Sequence, residues 1–161
     1  MDPRIAPLAG ILHLNNRLFA NCLVGLTDAQ CHERPSDSTN SAAFVAAHLA
    51  EARFWGLKIL GVERANPLEK KLGQWKGIDE ITDWPSLDEI KAAWAEASAA
   101  MDQRMAAIAP AELDKASGSQ MPLEDSSVLG LFAFMVQHDS YHIGQLSMLR
   151  KHAGMPAMSY S

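Results

Sequence analysis

The sequence predicts an all-α protein folded as a four-helix bundle, and three observations predict it. Four segments repeat apolar residues at about the 3.6-residue period of an amphipathic helix, no segment alternates as a strand does, and start and stop signals flank each helical segment. At 161 residues the chain holds one compact domain, taken as 1–161, and is too short for two ordinary ones. No internal repeat or low-complexity stretch divides it.

The first helix is expected over residues 3–24, with Asp2 as N-cap, Pro3 at the first helical position and Gly25 as the stop. Its stripe is Leu8, Ile11, Leu12, Asn15, Leu18, Phe19, Cys22 and Leu26. The second covers 41–60, between a candidate cap at Asn40 and a stop at Gly61, with Phe44, Val45, His48, Ala52, Trp55 and Ile59 on one face. The third opens at Ser86, whose spacing to Glu89 is that of a capping box, and ends before Pro110. The fourth starts near Asp125 or Ser126 and ends at Gly154, carrying Val128, Leu131, Met135, His138, His142, Gln145, Leu146 and Leu149. The linker 61–85 could reach about 80 Å when extended, against about 30 Å for the second helix. Such a crossover lets the second and third helices run parallel. A structureless loop of that length is unusual, so it is expected to carry a short helix or to cover a site.

Composition narrows the function. The apolar fraction of 48% is ordinary for a globular protein, and the net charge of −5 is scattered, with no basic stripe to hold nucleic acid. The start of the chain lacks a secretory layout, and its longest apolar run is about half the roughly 20 residues of a membrane span. Two cysteines, Cys22 and Cys31, make no disulfide framework. A cytoplasmic protein with no membrane or nucleic-acid partner is the expectation.

The informative feature is where histidines fall. His138 and His142, at i and i+4, stack on one helical face about 6 Å apart, a spacing that lets two imidazoles converge on one metal ion. His48 holds the matching place on the second helix. Two readings stand: three buried histidines satisfied by hydrogen bonds, or three ligands to one divalent metal that satisfies all of them at once. The second is preferred. His13 faces away from its stripe, His32 lies in a polar run, and His152 sits in the last turn of the fourth helix, so none joins the set.

The run His138-Asp139-Ser140-Tyr141-His142-Ile143-Gly144-Gln145 resembles the H-x-x-x-H-x-G-Q signature of the DinB-like superfamily, and Ala47-His48-Leu49-Ala50-Glu51 resembles its second-helix histidine motif. The helix order matches over nearly the whole chain. The resemblance implies an up-down-down-up bundle, commonly dimeric, holding zinc or nickel on three histidines with open positions. It also implies metal-dependent enzymes, among them thiol-dependent S-transferases and isomerases that use low-molecular-weight thiols.

Three protein ligands are the arrangement of a catalytic metal, and open positions would take water or a thiol. A small-molecule substrate and, by resemblance, thiol S-transfer lead; metal-dependent hydrolysis and a non-catalytic metal-binding stress protein are the alternatives. Imidazole ligands by themselves suit zinc, nickel, copper and iron alike. No catalytic residue is assigned. Glu51, on the flank of the second helix, is the better candidate base, with a solvated salt bridge as the alternative. Asp139 is expected off the core face, at the surface in preference to behind a ligand. Asn15 and Gln145 could orient a ligand histidine, contact substrate, or pair as core amides; Tyr141 flanks the site. Cys22 reads as a small buried hydrophobe, and Gly144 as a place where helices approach closely, in the bundle or at a dimer interface.

Overall fold

The computed structural model describes residues 1–73 and 77–160. Residues 74–76 of the predicted crossover, and position 161 of the predicted domain, lie outside the described residues. Four long helices are present: α1 (Ala6–Leu23), α3 (Ala42–Ile59), α5 (Leu87–Ala107) and α7 (Val128–His152). Three short ones lie between them: α2 (Asp28–His32), α4 (Glu69–Leu72) and α6 (Pro110–Leu113). The only β pairing among the described residues is an isolated bridge between Ala116 and Ser127.

Side-chain pairs give the topology. Asn15 meets Ser140 and Cys22 meets the Ile143 carbonyl, so α1 and α7 run parallel. His48 meets His142 while Trp55 meets Phe134, so α3 and α7 are antiparallel. Arg53 bonds Ser98 and Arg104 bonds the Leu60 carbonyl, so α3 and α5 are parallel. The order is up-down-down-up, with α1, α7, α3 and α5 as successive neighbours around the bundle. Parallel α3 and α5 require the long crossover. It carries α4 and a 3₁₀ turn at Ile78–Glu80, and buries Leu68 and Leu72 against the core.

Helix ends follow local chemistry, with small departures from expectation. α1 starts at Ala6 rather than near Pro3. The Asp2 carboxylate accepts from the Arg4 N–H (2.8 Å) and guanidinium, a local turn that competes with helix, and Pro7 then fits the first turn. Ser41, not Asn40, caps α3 by accepting from the Phe44 N–H. The Ser86–Glu89 capping box forms, and Ser127 caps α7 one residue beyond the expected start. Such caps stabilise by about 1 kcal/mol each. Gly61 (φ +74°) ends α3 in a Schellman motif, with the Val62 N–H on the Leu57 carbonyl at 2.9 Å.

One close approach falls at a glycine that periodicity does not single out. A Cβ on Gly130 would lie 2.1 Å from the Asp125 carbonyl oxygen, whereas one on Gly144 would meet open space. Gly144 therefore serves no close packing within this bundle. Gly130→Ala is expected to destabilise the fold by about 1–3 kcal/mol, because the opposing atom is backbone and cannot swing away. Gly144→Ala should be neutral or slightly stabilising; urea denaturation of the two variants checks both.

Candidate metal centre

The antiparallel seam of α3 and α7 positions three imidazoles. His138 and His142 project from successive turns of α7, and His48 faces them from the middle of α3. His48 Nε2 lies 3.0 Å from His138 Nε2 and 3.2 Å from His142 Nε2, and the three candidate ligand atoms all fall within 4.8 Å of one another. Tetrahedral zinc with Zn–N bonds near 2.0–2.1 Å spaces its nitrogens about 3.3 Å apart, so these imidazoles fit the group. His48, His138 and His142 form a cluster that could hold a metal ion.

Protonation suits ligation. The Gln145 amide oxygen, 2.7 Å from His142 Nδ1, can only accept, so Nδ1 carries the proton and the Nε2 lone pair faces inward. Burial pushes His48 down to about 4, helped by the charge of the other two imidazoles, and burial lowers His142 as well. Both are neutral at pH 7. All three rings are half-buried, not enclosed; the His138 side chain is 16% exposed.

The expectation for Asp139 is corrected. It is fully buried, and its Oδ2 accepts from Arg53 Nη2 (2.7 Å) and Nε (3.1 Å). Arg53, also fully buried, donates through Nη1 to Asn16 Oδ1 (2.6 Å) and Ser98 Oγ (2.8 Å). Its guanidinium lies 3.9 Å over the Trp94 ring, which stacks on Phe19 at 4.2 Å. All four long helices thus meet at one ion pair behind the histidines. Arg53, Asn16 and Ser98 are absent from the sequence-based candidates. The signal available was an arginine as the sole charge in the run 52–57.

Other candidates divide. Gln145 contacts a candidate ligand. Asn15 is buried and bonds Ser140 Oγ (3.1 Å) and the Val136 carbonyl, which ties α1 to α7. Tyr141 packs edge-on to His142 (centroids 5.0 Å) and is 58% exposed. Cys22 is buried, its thiol pushed up to about 11 by burial, as befits a small hydrophobe. His13 is exposed and pairs with Asp102, and His32 packs against Trp84.

Glu51, one turn beyond His48, lines a cleft of about 680 Å³ with Phe54, Trp55, Lys58 and the crossover residues Glu63 to Asn66 and Glu69. Burial first, and then Glu69, pushes Glu51 up to about 7. Trp55 meets Phe134 edge-on, and Phe134 lies 5.8 Å from His138, so an aromatic wall joins cleft and histidines. The crossover therefore both carries short helices and covers the flank of the candidate site. No helix among the described residues is long and apolar enough to cross a membrane.

The family model for the DinB superfamily matches residues 11–146. The chain belongs to the DinB superfamily. That span contains all three histidines and the four long helices almost entirely. The DinB fold is shared with a conserved protein from Enterococcus faecalis, whose crystal structure matches at a TM-score of 0.75 and 15% identity. The match covers 94% of this DinB chain and 96% of that one, and at such identity it speaks for the fold alone. No curated protein matches this DinB sequence.

Proposed function

We propose that this DinB protein is a metal-dependent enzyme that activates a low-molecular-weight thiol for S-transfer to a small electrophile. The observation that carries the reading is the convergence of three imidazole nitrogens on one point beside an open, part-apolar cleft. Three protein ligands leave a position for an outside group, where a structural zinc would be closed by four. Zinc or nickel bound there would lower the pKa of a coordinated thiol or water and so supply a nucleophile at neutral pH.

The chain's own residues account for the remaining needs. Phe54 and Trp55 offer an apolar wall to the electrophile and displace water from it. Glu51, pushed up to about 7, is part ionised at neutral pH and can take the thiol proton. The sulfur electron pair then forms the bond to the electrophilic carbon, and the leaving group departs with its own bonding pair. The same Glu51 suits a second reading, hydrolysis, in which it takes a proton from water. On the family resemblance we further propose a cytoplasmic homodimer, which sedimentation velocity would check.

Elemental analysis of untagged protein is expected to find about one zinc or nickel per chain, lost in His48→Ala and in His138→Ala/His142→Ala. Metal-loaded wild type should turn over members of a panel of thiols and electrophiles, and the variants should not. Wild type that stays metal-free after incubation with either ion overturns the metal reading. Loaded protein active on esters but on no thiol replaces transfer with hydrolysis.

A further inference from the structure

The Arg53–Asp139 pair departs from the usual fork. Both Arg53 donors that reach the carboxylate converge on Oδ2, and Nη1 is drawn away to Asn16 and Ser98. Oδ1 is consequently left over. Among the described residues neither Asp139 Oδ1 nor His138 Nδ1 has a hydrogen-bond partner, both atoms are buried, and they lie 3.9 Å apart. A carboxylate oxygen can only accept, whereas an imidazole Nδ1 can carry a proton. Two buried polar atoms that complement each other at this distance need a shift of under about 1 Å to bond, and leaving both unmade is costly.

We infer that Asp139, held by Arg53, is a positioning residue that keeps His138 in its Nδ1–H form, so that the Nε2 lone pair points at His48 and His142. The inference rests on the metal reading for its purpose but not for its geometry. Gln145 performs the same service for His142 with a neutral oxygen, 2.7 Å away. The two α7 imidazoles are then both proton-bearing on the outer nitrogen and bare on the inner one. In the metal-free protein His48 Nε2–H is left as the donor into that pair, across 3.0 and 3.2 Å. A carboxylate behind a ligand imidazole also raises its donor strength, which a neutral amide does less well. Arg53 fixes the carboxylate: anchored by α1 and α5, its guanidinium cannot follow Asp139 if the side chain turns.

The test reads the ring nitrogens directly. Long-range ¹H–¹⁵N spectra of ¹⁵N-labelled, metal-free protein at pH 8 distinguish a protonated from a bare nitrogen in each imidazole. Wild-type His138 is expected to be protonated at Nδ1. In Arg53→Met/Asp139→Leu, which removes both charges together, His138 should become a mixture of the two forms, while His142 keeps Nδ1–H. Zinc affinity, measured by competition with a chromophoric chelator, should fall by about 10- to 100-fold in that variant, and less in Asp139→Asn, which keeps a neutral acceptor. Wild-type His138 protonated at Nε2 overturns the inference whatever the variants do. An unchanged His138 in a folded double variant overturns it as well, while leaving zinc binding intact. If instead the ring responds as expected and wild type takes up no zinc, the positioning role stands and the metal reading falls.

Discussion

Arg53→Ala is expected to lower the unfolding free energy by about 3–5 kcal/mol, the scale for removing one partner of a buried ion pair. The effect is large because the guanidinium satisfies groups on three other helices at once. Its loss strands the Asp139 carboxylate at zero exposure, leaves Asn16 and Ser98 without their donor, and uncovers the face of Trp94. A second contribution comes from the void, since Arg53 is among the largest fully buried side chains. Arg53→Met/Asp139→Leu separates the two. It keeps most of the volume and removes both charges, so it should recover most of the loss, as apolar replacements of buried pairs often do. Urea denaturation in chelator, at pH 7, compares wild type, single and double variants without any metal contribution. If the double variant is no more stable than Arg53→Ala, the cost lies in packing and not in an orphaned charge.

That ion pair also marks the limit of what local sequence patterns carry. His138 and His142 were legible because i and i+4 on one helix is a local relation, and His48 followed from the matching motif on the second helix. The four long helices were legible from period and punctuation, with starts displaced by a few residues where two adjacent residues could both cap, as at Asn40 and Ser41. The inner face of α7 differs from the stripe that periodicity predicts, for a definite reason. A stripe drawn by hydrophobicity pushes charged residues outward, so it placed the histidines at the centre and Asp139 at the surface. In the fold, the centre of α7 runs through Phe132, Met135, Asp139, Ile143 and Leu146, with the histidines on its flank. A charge becomes admissible there only when its counter-charge is known, and Arg53 stands 86 residues away on another helix. The close approach at Gly130 was hidden similarly, since the atom it would strike belongs to the loop before the helix.

Glu51→Gln is expected to make the metal-free protein more stable than wild type at pH 8, by about 1–2 kcal/mol once solvent screening of a half-buried carboxyl is allowed for, with the difference vanishing below about pH 4.5. The folded protein holds the Glu51 proton to about pH 7, whereas the unfolded chain releases it near 4.5. Its contribution is therefore fully present below pH 4.5 and lost as pH rises through 7. His48 has the opposite sign: the unfolded chain takes up a proton near 6.5 that the folded protein resists to about 4. Its contribution is fully present above pH 6.5 and lost as pH falls toward 4, and the lowered His142 adds to that acid-side loss. Between pH 4.5 and 6.5 the two slopes oppose each other, so wild type should vary little there. Glu51→Gln removes one slope and exposes the other, a steady loss of stability on acidification from pH 6.5. Denaturant melts of both proteins in chelator from pH 4 to 8 read the difference curve. A constant offset across that range would mean that Glu51 titrates alike in folded and unfolded chains, and would withdraw it as the proposed proton acceptor beside the candidate metal centre.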